Sequence, residues 1–135
     1  MITDDKATFS RDQAVTADAA STDYYDAGAA TDLGAGEPIG LWARVTEAFN
    51  NLTSLGILLQ SDDNASFSSA TTHWTKTVLL ASLTLDAAIA LPPIPPGTRE
   101  RYWRLYYDVT GTAPTTGKID AGVARDKPAR PDLTY

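Results

Sequence analysis

The segment from Arg101 to Val109 alternates with a strict period of two: Trp103, Leu105, Tyr107 and Val109 fall on one side of an extended chain, and Tyr102, Arg104, Tyr106 and Asp108 on the other. Successive side chains of a strand point to opposite faces, so this pattern specifies a strand with one buried and one outward face. Two such strands cannot hide their apolar faces alone, which commits the rest of the chain to supplying a facing layer. Arg101–Val109 is therefore predicted to be a central strand.

The same period recurs from Ile39, where Ile39, Leu41, Ala43 and Val45 share the predicted core face while Gly40, Trp42, Arg44 and Thr46 share the other. After a turn at Asn50-Asn51, Leu55, Ile57 and Leu59 alternate with Gly56, Leu58 and Gln60 until Ser61-Asp62-Asp63-Asn64 ends the run in an exposed loop. Gly111–Gly117 reads as a turn, and Lys118–Ala124 as the last strand, with Ile119 and Val123 separated by Asp120 and Gly122. Phe9–Tyr25 reads as an edge strand or extended arm, its Ala content lowering its strand propensity. Asp32–Gly40 is a glycine-rich connector, Pro92–Gly97 an extended proline loop, and Lys127–Tyr135 a proline-broken tail. His73–Leu91 fits two readings, because Val78, Leu79, Leu80, Leu83 and Leu85 suit a buried helical stripe as well as a pair of strands. Short apolar segments between turn formers give a sandwich or barrel rather than alternating helices and strands.

One core suffices for 135 residues, which at 43% hydrophobic and 21% charged have enough apolar surface to offset the entropy of ordering. A net charge of -6, with no basic stripe interleaved with aromatics, predicts no nucleic-acid partner. The absence of Cys removes disulfides and thiolate chemistry. No basic region leads into an apolar one at Met1–Lys6, and Val78–Leu91 is broken by Ser82, Thr84 and Asp86, so neither a leader nor a membrane partner is expected.

No catalytic constellation emerges. The single imidazole, His73, sits beside Trp74 in a Ser/Thr-rich stretch, and a lone histidine without a partner is an ordinary packed or surface residue. Asp62-Asp63-Asn64, with Ser61 and Ser66 nearby, has the oxygen ligands calcium favours, but Asp and Asn also cap their own backbone at hairpin tips. The expectation is no metal, no cofactor and no catalytic residue. The aromatics are a stronger signal, since Tyr and Trp bury large areas at protein contacts with little entropic loss. The candidate contact residues are Tyr24, Tyr25, Trp42, Trp74, Tyr102, Tyr106 and Tyr135, whereas Trp103 and Tyr107 are assigned to the core.

Five strings then occur in order: Phe9-Ser10 with Gln13-Ala14-Val15-Thr16; Leu52-Thr53-Ser54-Leu55; Ser61-Asp62-Asp63-Asn64-Ala65-Ser66-Phe67; Pro96-Gly97 leading to Arg101-Tyr102-Trp103-Arg104-Leu105; and Gly111-Thr112-Ala113 running into Gly117-Lys118-Ile119-Asp120-Ala121. Together they resemble the capsid cement, or decoration, proteins of tailed bacteriophages, most of all that of a short-tailed Bordetella phage. The resemblance implies an all-β jelly roll of about eight antiparallel strands in one domain spanning 1–135, with arms at 1–12 and 126–135 that a partner can order. It also implies strands across His73–Leu91, and no catalysis. The partners it implies are the major capsid protein and a second copy of the chain in a homodimer. The implied location is the outer surface of the virion's capsid after synthesis in the bacterial cytoplasm. A carbohydrate-binding or adhesin module on the same architecture is the alternative, because exposed Trp and Tyr rings stack on sugars. A hydrolase using Asp residues is a third reading, without recognisably paired carboxylates to support it.

Overall fold

The computed structural model describes residues 8–32, 40–94 and 99–123, with backbone alone for 27–32, 99 and 100. Among the described residues nine strands follow in order: β1 Thr8–Ala14, β2 Ala19–Ala20, β3 Tyr25–Asp32, β4 Leu41–Glu47, β5 Leu52–Asp62, β6 Thr71–Leu79, β7 Ala88–Ala90, β8 Arg99–Gly111 and β9 Lys118–Val123. They form two antiparallel sheets, one ordered β1-β9-β4-β7 and the other β2-β8-β5-β6, with β3 also beside β8.

β2 and β3 lie along the same edge of β8, Ala19-Ala20 opposite Tyr107-Tyr106 and Tyr25-Asp26 opposite Trp103-Tyr102. Ser21 bridges the interruption, its amide donating to the Leu105 carbonyl at 2.8 Å and its hydroxyl accepting the Leu105 amide at 3.2 Å. Counted as one interrupted strand, they reduce the nine to eight. The sheets then read first-eighth-third-sixth and second-seventh-fourth-fifth, which is jelly-roll topology in an open sandwich rather than a closed barrel.

The alternation read from the sequence positions the core. Leu41, Ala43 and Val45 of β4, Leu55, Ile57 and Leu59 of β5, Trp103, Leu105 and Tyr107 of β8, and Ile119, Ala121 and Val123 of β9 are all buried between the sheets. β8 is central, flanked by β5 along one edge and by β2 and β3 along the other. Strands occupy the ambiguous stretch: β6, a single 3₁₀ turn at Leu80–Ser82, and β7. Of the leucines there only Leu83 is fully buried, while Leu79 and Leu85 are each 61% exposed.

Three expectations require correction. Phe9–Tyr25 is not one strand: it contributes β1 to the first sheet and β2 to the second, turning at Val15–Asp18. Residues 8–12 are not an arm, because Phe9 and Ser10 are fully buried and Thr8 and Ser10 pair with Gly122 and Ala121. The run at β5 does not stop at Ser61, which is fully buried together with nearly all of Asp62; exposure begins at Asp63. The rest of the N-terminal arm, most of the connector at 33–39, part of the proline loop at 95–98 and the tail at 126–135 lie outside the described residues. The turn before β9 is as expected, with Gly111 and Gly117 at φ 92° and 139°. At Gly117 a Cβ would strike the Phe49 ring, so the close approach as well as the dihedral requires glycine.

One edge of the sandwich is sealed by hydrogen bonds. The Asp23 amide donates to the Phe9 carbonyl at 2.9 Å, joining the two sheets directly. The Gln13 side chain reaches from β1 to β2, donating to the Ala20 carbonyl at 3.0 Å and accepting from the Thr22 amide at 2.9 Å. The Ser10 hydroxyl donates to Gln13 Oε1 at 2.6 Å and lies 2.7 Å from the Tyr107 hydroxyl. Tyr107 is buried, and desolvation pushes its phenol well above the usual tyrosine range, so it stays a neutral hydrogen-bonding group at any physiological pH.

Candidate protein-binding face

The outward side of β8 carries Tyr102, Arg104 and Tyr106, because the intervening residues are committed to the core. Two loops add to this row. The interruption between β2 and β3 brings Tyr24, which is 44% exposed, to 5.3 Å from the Tyr102 ring with an interplanar angle of 85°. The loop after β5 brings Phe67, which is itself buried, and its ring lies 6.1 Å from that of Tyr24 and 4.4 Å from the Arg104 guanidinium carbon. Arg104 is also 5.8 Å from the Tyr106 ring, and Arg101 stands 5.0 Å over Tyr102. These edge-to-face rings and stacked cations make one continuous aromatic and arginine surface.

Its cations are held in place. Arg104 Nε donates to Gln60 Oε1 at 2.9 Å, which leaves its terminal amino groups without a protein acceptor among the described residues. Burial pulls the Arg104 guanidinium below the usual arginine value, yet an arginine so placed stays charged. Arg101 grips Asp26 through two bonds, 2.8 Å from Nε to Oδ1 and 3.1 Å from Nη2 to Oδ2, and this pairing raises the Arg101 pKa.

The acidic string weighed as a calcium site builds the Phe67 loop instead. Asp62 accepts the Asp63 amide at 2.7 Å and the Ser69 amide at 2.8 Å, and the Ser69 amide above all holds its carboxyl below the usual range. Its neighbour Asp63 is pushed up by the hydrogen bond to Asp62 and then by that group's charge. Asn64 Oδ1 accepts both the amide and the hydroxyl of Ser66 at 2.8 Å, and the Phe67 amide donates to the Asn64 carbonyl at 2.9 Å. Phe67 is thereby held at φ 54°, a left-handed conformation rare for an aromatic, with its ring against Arg104. No three His, Cys, Asp or Glu side chains cluster as a metal site among the described residues.

The other candidates lie elsewhere. Tyr25 pairs opposite Trp103 and packs against the core. Trp74 pairs opposite Leu59, also packs against the core, and donates from Nε1 to the Pro93 carbonyl at 3.2 Å. Trp42 is on the outer face of the first sheet, between Gly122 and Ala90, where it lines a cleft of about 400 Å³ with Arg44, Ala88 and Asp120. Its indole N–H is buried without an acceptor among the described residues. Tyr135 lies outside the described residues. Of the seven, the fold therefore brings together Tyr24, Tyr102 and Tyr106. Arg101 and Arg104 complete the face and the buried Phe67 supports it, and none of the three was among the sequence candidates; a lone aromatic inside an otherwise polar loop was the available signal for Phe67.

His73 is a packed residue. It occupies a bulge in β6 between the Leu59–Trp74 and Gln60–Thr72 pairs, stacks on Trp103 at 5.0 Å and 27°, and bonds through Nε2 to the buried Ser61 hydroxyl at 2.6 Å. Burial pulls its pKa below the ordinary value. No helix among the described residues is long and apolar enough to cross a membrane.

Two antiparallel sheets in jelly-roll order place this chain among the all-β sandwich proteins. The profile of the Bbp16 family matches residues 9–123, and the chain belongs to that family, whose name points to a Bordetella phage protein. No curated protein matches the chain.

Proposed function

We propose that this protein is a non-enzymatic capsid cement protein, which binds the major capsid protein on the outer surface of an icosahedral phage head and pairs with a second copy of itself. The observation that carries this reading is the face built from Tyr24, Tyr102, Arg104 and Tyr106, with the buried Phe67 packed against it. Protein contacts concentrate their energy in Tyr, Trp and Arg anchors whose rotamers are already fixed, and edge-to-face rings and stacked guanidinium groups satisfy both conditions. Family membership supports the phage setting. On a lattice, many modest contacts of this kind add by avidity.

Co-sedimentation of the purified protein with heads of its own phage tests the reading. Wild type is expected to pellet with assembled heads and not with unassembled capsid subunits. Arg104→Glu and Tyr102→Ala are expected to abolish pelleting while shifting the melting temperature little. Undiminished attachment of both variants, or no attachment of wild type, would overturn it.

A further inference from the structure

The two sheets turn their outer surfaces in opposite directions, and the aromatic face is carried by the second. On the first sheet, the register of β9, β4 and β7 sets two short rows: Gly122, Trp42 and Ala90, then Asp120, Arg44 and Ala88. Paired residues stand side by side on one face of a sheet, so Trp42 is flanked by residues with little or no side chain. Beside the indole lies the cleft of about 400 Å³, with Arg44, Ala88 and Asp120 in its walls. Its size suits a small ligand, and its lining lies wholly among the described residues.

The polar groups of the cleft are positioned by the fold. Asp120 Oδ1 accepts the Asp12 amide at 2.5 Å, and the Thr46 hydroxyl in turn donates to Asp12 Oδ1 at 2.7 Å. Asp120 Oδ2 lies 3.5 Å from Arg44 Nη2, and the two side chains are 23% and 53% exposed, within reach of a solute.

These groups select a chemistry. A guanidinium only donates and a carboxylate only accepts, whereas a hydroxyl does both. Adjacent hydroxyls of a diol can therefore bridge the pair, one accepting from Arg44 and the other donating to Asp120. An anion meets the charge of Asp120 and a cation that of Arg44, so the pair favours a neutral ligand. The indole π-system attracts polarised C–H groups, which line one face of a pyranose ring. A sugar presents that face and adjacent hydroxyls on a single ring. An extended peptide, by contrast, is recognised through its backbone at a sheet edge, and this cleft lies on a sheet face.

We infer that the cleft binds a neutral saccharide, with Trp42 against the C–H face of a sugar ring and Arg44 and Asp120 hydrogen-bonded to adjacent hydroxyls. The inference is independent of capsid binding. With the second sheet against a shell the first faces away from it, and repeated copies present the cleft many times over.

Titration of the full chain with maltohexaose, cellohexaose, mannohexaose and chitohexaose, followed by calorimetry and tryptophan fluorescence, provides the test. At least one of the four is expected to bind saturably, and the acidic control trigalacturonic acid is not. Trp42→Ala and Asp120→Asn are each expected to weaken binding tenfold or more. Ala88→Glu, which fills the cleft from an exposed position, is expected to do the same and carries the test if Trp42→Ala fails to fold. Circular dichroism melts identify the folded variants. Binding of none of the four neutral sugars, binding of trigalacturonic acid alone, or undiminished binding by the folded variants would each overturn the inference. Loss of head attachment in these variants, with no sugar bound by wild type, would assign the cleft to the capsid protein and overturn it as well. Sugar binding without head attachment would leave the inference standing and the capsid reading overturned.

Discussion

The two edges of the sandwich solve the same problem in opposite ways. Where β1 meets β2, the chain turns directly from one sheet into the other, and Gln13, Ser10, Tyr107 and the Asp23 amide knit the layers together. Where β6 meets β7, the route runs through a 3₁₀ turn and an exposed Leu85, and β7 is only three residues long. A short edge strand beside the half-buried Lys76 resists indiscriminate strand addition. The lesson is that one edge is closed by side chains of the same molecule, while the other keeps its strand edges open.

Substitutions should separate the two edges. The largest effect is expected from Phe9→Ala on the sealed side: loss of a fully buried ring from β1 should cost about 3–5 kcal/mol, read as a large drop in chemical-denaturation midpoint. Removal of residues 2–7 alone should leave the monomer's midpoint nearly unchanged; an equal drop for both would erase the distinction between strand and arm. Next, Gln13→Ala should cost about 0.5–1.5 kcal/mol, since it removes the side-chain bridge to the Thr22 amide and the Ala20 carbonyl, both of which water can reach. A neutral Gln13→Ala would mean the seal is made by backbone alone.

On β6 the expected effect is smaller and depends on pH. His73 titrates in the fold below its ordinary value of 6.5, so the fold favours the neutral ring. Its contribution is fully present above pH 6.5 and is lost as pH falls through the folded pKa. Melts from pH 8 to 5 should therefore show a decline that His73→Gln flattens, and an unchanged slope in that variant would place the pH response elsewhere. The smallest effect is expected for Leu79→Ser, within about 0.5 kcal/mol, because this side chain is 61% exposed in the monomer. If the open edge were in fact packed, that variant would be as costly as a core substitution.

The central strands were legible because their burial is decided by both sheets at once. In β8 the inward set Trp103, Leu105 and Tyr107 needs no knowledge of its neighbours to be recognised. The edges were less so. Nothing local distinguishes Tyr24 from Tyr25; the inward choice of Tyr25 comes from its register opposite Trp103. Trp74 turns inward beside His73 because a bulge in β6 breaks the alternation there. Asp62-Asp63-Asn64 announced a turn correctly, but the use of that turn, fixing Phe67 against an arginine some forty residues downstream, depends on contacts that no short window contains.

The pairing of β1 with β9 has a consequence for how the protein folds. Thr8 meets Gly122 and Ala14 meets Lys118, so two strands more than a hundred residues apart in the chain must find one another. Such distant pairings slow folding, because loop-closure entropy must be overcome before any contact repays it. Until that pairing forms, β1 leaves Phe9 uncovered, and the second sheet, whose β5 and β6 are neighbours in sequence, is the natural platform on which the rest condenses.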